Sequence, residues 1–153
     1  MAKVNEKSVA EFLKHIRMTQ QKVETELGKS IAKCCATIQR EAQESMRDTK
    51  IDTSKSYYKH NKKIPHHPSM PYNPPAVDTG TLRRSITYTV DEKNLVGYVG
   101  SVINDPPYGL YLEKAEYGSS RMKPRPWLKP ATEKSLETIK RLMAGAVKVG
   151  LYD

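Results

Sequence analysis

The chain has 153 residues and a mass of 17.3 kDa, the size of one domain with room for a real core. A formal net charge of +9 points to a polyanion nearby, and a mean hydropathy of −0.69 points to a part of the chain that is poorly packed or that packs only within an assembly. No stretch approaches the ~18 apolar residues of a membrane-spanning helix, and Met1 to Glu11 lacks the apolar core of a secretory signal.

Nine Tyr stand against one Phe and one Trp, a bias toward partly wet interfaces, because tyrosine joins an apolar ring to a polar tip. The two cysteines, Cys34 and Cys35, are neighbours in sequence, and neighbours rarely bond each other. A reduced, cytosolic origin fits them; a disulfide between subunits is the rival reading.

A long helix is predicted over residues 8–48. Val9, Phe12, Leu13 and Ile16, then Val23, Leu27, Ile31, Cys35, Ile38, Ala42 and Met46, step by threes and fours along one face. Thr19, Gln20 and Gln21 interrupt the stripe and mark a bend or a break. At 1.5 Å per residue the helix spans roughly 60 Å, too long to bury itself against a small domain. Its excess is expected to pack on neighbouring copies, with Val23, Leu27, Ile31 and Ile38 at the subunit interface.

Residues 49–77 read as a basic, proline-rich loop. Pro65, Pro68, Pro71, Pro74 and Pro75 forbid a helix and disfavour a central strand. Lys50, Lys55, Lys59, Lys62 and Lys63 lie among Tyr57, Tyr58, His60, His66, His67 and Tyr72. Lysines that follow phosphates and tyrosines that stack make this loop the candidate contact for DNA or for an acidic partner.

Residues 78–128 are expected to form the β region. Ser85–Val90 and Leu95–Val102 alternate as two strands joined at Asp91-Glu92-Lys93-Asn94. A further strand is expected at Tyr108–Leu112, after the turn at Asn104-Asp105-Pro106-Pro107. Residues 129–149 form the last helix, with Pro130 in its first turn and Leu136, Ile139, Met143, Ala146 and Val147 on its apolar face. The fold class is α+β: a long N-terminal helix, a small antiparallel sheet with a hairpin, and a C-terminal helix packed on the sheet, all in a single domain.

Sites of chemistry are few. Asp78-Thr79-Gly80 has the aspartic-protease triplet, but prolines precede it and Arg83 and Arg84 follow, which favours an ionised carboxylate over a shared proton. Asp78 or Thr79 is better read as the cap of a helical turn, with Gly80 supplying backbone freedom. His60, His66 and His67 lack a zinc-ligand spacing, and no Gly-Lys-Ser/Thr phosphate loop is present. Glu113 and Glu116 read as surface charges. No enzyme activity, metal or cofactor is expected.

Three stretches then line up. They run from Pro74 through Asp78-Thr79-Gly80-Thr81-Leu82-Arg83-Arg84-Ser85-Ile86, over Tyr108-Gly109-Leu110-Tyr111-Leu112-Glu113, and from Met122 through Arg125-Pro126-Trp127-Leu128-Lys129-Pro130-Ala131. In this order, after a long helix, they resemble the tail-component family of tailed bacteriophages, which includes head–tail joining and tail-completion proteins. The resemblance covers about Pro74 to Val147; a short insertion after Glu113 and a longer basic loop are its departures. It implies a scaffold built by Asp78, Thr79, Gly80, Leu82, Arg83, Ser85, Ile86, Tyr108, Leu112, Glu113, Arg125, Pro126, Trp127 and Pro130.

The resemblance further implies a virion protein assembled in the bacterial cytoplasm. Its copies form a ring, usually of six, between the portal or adaptor and the tail tube or terminator, and genomic DNA passes through the opening. Lys50, Lys55, Lys59, Lys62 and Lys63 would face that DNA or an acidic neighbouring ring. A general nucleic-acid-binding protein, and a minor tail component or tail terminator, stay open as alternatives.

Overall fold

The computed structural model describes residues 6–56, 58, 65–103, 107–114 and 123–152. Its first element, α1 (Glu6–Arg47), is one unbroken helix. It passes through Thr19-Gln20-Gln21 without a break, and side chains support the polar stretch: Gln20 donates to Glu24 at 2.8 Å, and the Thr25 hydroxyl donates to the Gln21 carbonyl at 2.8 Å. Beyond Arg47 the chain turns into the proline-rich segment. The described part of that segment is held at its base by an antiparallel bridge between Ile51 and Ser69, with Met70 N donating to Lys50 O at 2.8 Å.

A short helix, α2 (Thr81–Ser85), leads directly into a hairpin of β1 (Ile86–Asp91) and β2 (Val96–Ser101). Gly80 enters α2 with φ of 75°, the left-handed conformation that glycine adopts at little cost. The cap expected from Asp78 or Thr79 is not formed: Gly80 itself is the N-cap residue, without a side-chain cap bond, while Thr79 accepts the Thr81 N–H at 3.3 Å and Asp78 stands 3.9 Å from His66 Nδ1. The strands pair antiparallel from Ile86 opposite Ser101 to Asp91 opposite Val96. Asp91 closes the turn by accepting Asn94 N at 3.0 Å and Asn94 Nδ2 at 2.7 Å, and the Asn94 bonds hold its carboxyl below the usual carboxylate range.

The strand expected at Tyr108–Leu112 is instead a helix, α3 (Tyr108–Lys114). Pro107 decides the matter locally. Its carbonyl accepts Leu110 N at 3.1 Å and Tyr111 N at 3.2 Å, so the chain coils as it leaves the proline. The last element, α4 (Leu128–Tyr152), carries Pro130 in its first turn, where a missing N–H costs nothing, and runs a little longer than the sequence pattern predicts.

The fold is α+β, with α1 as its spine. α4 lies antiparallel along α1: Lys134 pairs with Glu41 near one end, and Gly150 meets Val23 at the other. Small residues allow the two helices to approach closely. Ala131, Ser135, Ala146 and Gly150 are the buried positions of α4, and a Cβ on Gly150 would come within 2.6 Å of the Val23 Cα. The hairpin packs on another side of α1, where Gly97 sits directly over Cys35 and Ile31. Gln39 and Gln43 of α1 secure the sheet by donating to the Ile86 carbonyl at 2.7 and 3.3 Å.

The core lies at the C-terminal end of α1, where Ala42 and Met46 meet Ile86, Trp127 and Ala131. Leu82, Val99, Leu112 and Leu128 close around it, so the start of α4 and the sheet share one core. No helix among the described residues is long and apolar enough to cross a membrane.

Candidate assembly site

The motif stretches converge on a single knot around Trp127, which is 3% exposed. Its indole N–H donates to the Gly109 carbonyl at 2.9 Å, and a Cβ on Gly109 would crowd the indole ring at 3.1 Å. The backbone of α3 therefore forms one wall of the tryptophan's seat. Leu82 and Leu112 line the rest, beside Ile86.

Glu113 does the capping of α4. One carboxylate oxygen accepts Trp127 N at 2.7 Å and Leu128 N at 3.0 Å, and the other accepts Lys129 N at 2.8 Å. These donors belong to the first turn of a helix, which has no internal partners for them, and the carboxylate also sits at the positive end of the helix dipole. Glu113 is thus no free surface charge. Reading the sequence alone misses this, although α4 gives a hint: its start, Pro126-Trp127-Leu128, contains no Ser, Thr, Asp or Asn to cap it from within.

Arg125 ties the proline-rich segment to the same knot. Its backbone N donates to Leu112 O at 2.7 Å, while its guanidinium donates to the Ser69 hydroxyl and the Ser69 carbonyl, each at 2.9 Å. Ser69 is buried, and Tyr72 N donates to Pro124 O at 2.9 Å beside it. Ser85 joins through its hydroxyl, 2.8 Å from that of Ser101, and Arg83 offers its carbonyl to Gln43 at 3.2 Å. Pro126 and Pro130 are half-buried on either side of Trp127. Tyr108 opens α3, and its side chain lies outside the described residues.

Beside the knot a cleft of about 430 Å³ runs along Asp78, Thr79 and Gly80, with Met46, Leu82 and Leu112 on its walls. It offers a largely apolar surface with one carboxylate at its edge. Among the described residues no group of His, Cys, Asp or Glu has the arrangement of a metal site.

The remaining expected positions separate. Lys50 and Lys55 are exposed at the base of the basic loop, with Lys55 3.6 Å from Asp52; Lys59, Lys62 and Lys63 lie outside the described residues. The interface expected at Val23, Leu27, Ile31 and Ile38 needs correction. Ile31 is buried beneath Gly97, Val23 is pressed against Gly150, and Leu27 and Ile38 are partly buried on the same helix, so this stretch serves packing within the chain. The exposed part of the stripe lies upstream, at Val9, Phe12, Leu13 and Ile16. Cys34 and Cys35 are free and buried, and burial raises both thiol pKa values above the ordinary thiol range. Compared with protein-family models, curated proteins and solved structures, the chain has no significant match.

Proposed function

We propose that this chain is a non-enzymatic structural subunit of a tailed-bacteriophage virion, and that copies of it close into a ring, six-fold by the family pattern, at the head–tail junction. The convergence of the three motif stretches on one knot carries this reading. Asp78 to Ile86, Tyr108 to Glu113 and Arg125 to Pro130 hold α2, α3 and the start of α4 against the end of α1. Their polar groups bind backbone, as expected of a scaffold: Glu113 and Trp127 bond to the main chain, and Arg125 bonds to the main chain and to Ser69.

Two surfaces support assembly. The exposed stripe of Val9, Phe12, Leu13 and Ile16 gives α1 an apolar overhang for a neighbouring copy. Lys50 and Lys55, with Lys59, Lys62 and Lys63 further along the sequence, give the ring a basic element to present to passing DNA or to an acidic neighbour in the portal, adaptor, tube or terminator. Assembly would take place in the host cytoplasm and the product would reside in the virion.

The test is the mass of the purified protein across a concentration series, with negative-stain imaging of the largest species. Closed rings of uniform diameter are the expected result. A chain that stays monomeric at every concentration, and that binds neither isolated phage heads nor isolated tails, overturns the reading.

A further inference from the structure

We infer that the groove between α1 and α4 is a binding surface for the phosphodiester backbone of nucleic acid, distinct from the proline-rich loop. The two helices run antiparallel, so their exposed flanks place two rows of cations side by side. Lys29, Lys33 and Arg40 form the row on α1; Lys134, Arg141 and Lys148, one heptad apart, form the row on α4. A heptad rises about 10.5 Å along a helix, so the α4 row alone spans about 21 Å. Lys29, Lys33, Arg141 and Gly145 line one cleft of about 240 Å³ where the rows face each other. The floor there is low because Gly145 carries no side chain, and a Cβ built on it would touch nothing.

Two of the six cations are already neutralised. Glu26 binds Lys29 at 2.7 Å, and Glu41 binds Lys134. Lys33, Arg40, Arg141 and Lys148 form no ion pair among the described residues, and all four are exposed. A linear array of unpaired cations on rigid helices repels itself and gains most from a partner that is itself a linear array of anions.

The chemistry of the groove favours nucleic acid over an acidic protein. A protein partner needs buried aromatic or aliphatic anchors at the centre of the contact. The cleft contains none that is aromatic; only Leu142, Ala146 and Val149 lie on its floor between the charges. Phosphates need only positive charge at roughly regular intervals, and they bind without base readout.

The inference does not rest on the ring reading: a monomer would carry the same groove. Fluorescence anisotropy of a short mixed-sequence DNA duplex, measured across a salt series, tests it. Three proteins are compared: the native chain, Lys33→Ser/Arg141→Ser, and Lys93→Ser/Lys114→Ser, which removes the same charge from exposed positions elsewhere. Loss of two phosphate contacts lowers the slope of log K against log salt by about 2, and weakens binding by roughly 30-fold near physiological salt. The Lys93/Lys114 variant should keep the native slope. Melting curves on all three confirm that the exposed substitutions leave the fold intact. Equal weakening in both variants would mean that overall charge, not the groove, holds the DNA, and would overturn the inference. So would a native chain that binds soluble poly-glutamate but neither duplex nor single-stranded DNA, which would assign the groove to an acidic protein.

Discussion

Replacing Glu113 by Ala should destabilise the chain by about 2–3 kcal/mol. The figure follows from the three N–H groups that its carboxylate accepts at 2.7, 3.0 and 2.8 Å. A single N-cap contributes about 0.5–2 kcal/mol, and a hydrogen bond to a charged group about 1.5–3 kcal/mol. The three do not simply add. Lys129 N is near solvent, so water replaces part of what is lost there, whereas Trp127 is buried and its N–H is harder to hydrate. Glu113→Gln keeps an acceptor and the shape but loses the charge at the helix N-terminus, and should cost about 1 kcal/mol. Glu133→Ala, an exposed carboxylate on the same helix, is the control. Urea unfolding reports the effect through the fluorescence of Trp127, the single tryptophan, which sits inside the structure under test. For a chain of this size the Ala variant should melt about 5–10 °C lower. An Ala variant within about 0.5 kcal/mol of the native chain, or no worse than the Glu133 control, would refute the argument that Glu113 holds α4 in place.

Three further outcomes are expected. Gly97→Ala should cost about 1–3 kcal/mol by chemical denaturation, since its Cβ would collide with Cys35 and Ile31; Gly100→Ala on the same strand meets open space and should be neutral or slightly stabilising. Trp127→Phe should cost about 2–4 kcal/mol, because it empties part of the core and leaves the Gly109 carbonyl without its donor; thermal melting followed by circular dichroism reads it. Cys34 and Cys35 have pKa values raised by burial, so the folded state holds their protons more tightly than the unfolded state does. Stability should therefore fall as pH rises through the ordinary thiol value of 9.0, and a Cys34→Ala/Cys35→Ala variant should lose that alkaline dependence in denaturation curves.

The elements that depend on local pattern were readable from the sequence. The three-and-four spacing from Val9 to Met46 marks α1, the alternation at Ile86, Tyr88 and Val90 marks the hairpin, and the final apolar face marks α4. What was misread depends on contacts far along the chain. Tyr108-Gly109-Leu110-Tyr111-Leu112 has the composition of a strand, yet it coils. Tertiary contacts then hold that helix: Gly109 must present its carbonyl to Trp127, and Glu113 must reach the first turn of α4. No window on either segment contains both partners. The same limit explains the interface assignment. An apolar stripe announces that something covers it, but Val23, Leu27, Ile31 and Ile38 carry no mark saying that the cover is α4 and the hairpin of their own chain.

The exposed apolar stripe near the start of α1 is the candidate contact between copies. From Val9 to Ile16, about 10 Å of helix, the apolar residues of α1 stand exposed. Phe12 remains 62% exposed and Ile16 45%, so little of their apolar area is buried in a single chain. Phe12→Ser with Ile16→Ser should then change unfolding free energy by less than about 1 kcal/mol, in contrast to the core positions around Trp127. If this overhang is where copies meet, the same double variant should abolish higher-order species in sedimentation velocity at concentrations where the native chain associates. A variant that melts several degrees early would mean that the stripe supports the monomer after all. One that melts normally and still associates would move the contact between copies to another face, such as the cleft beside Asp78 and Leu82.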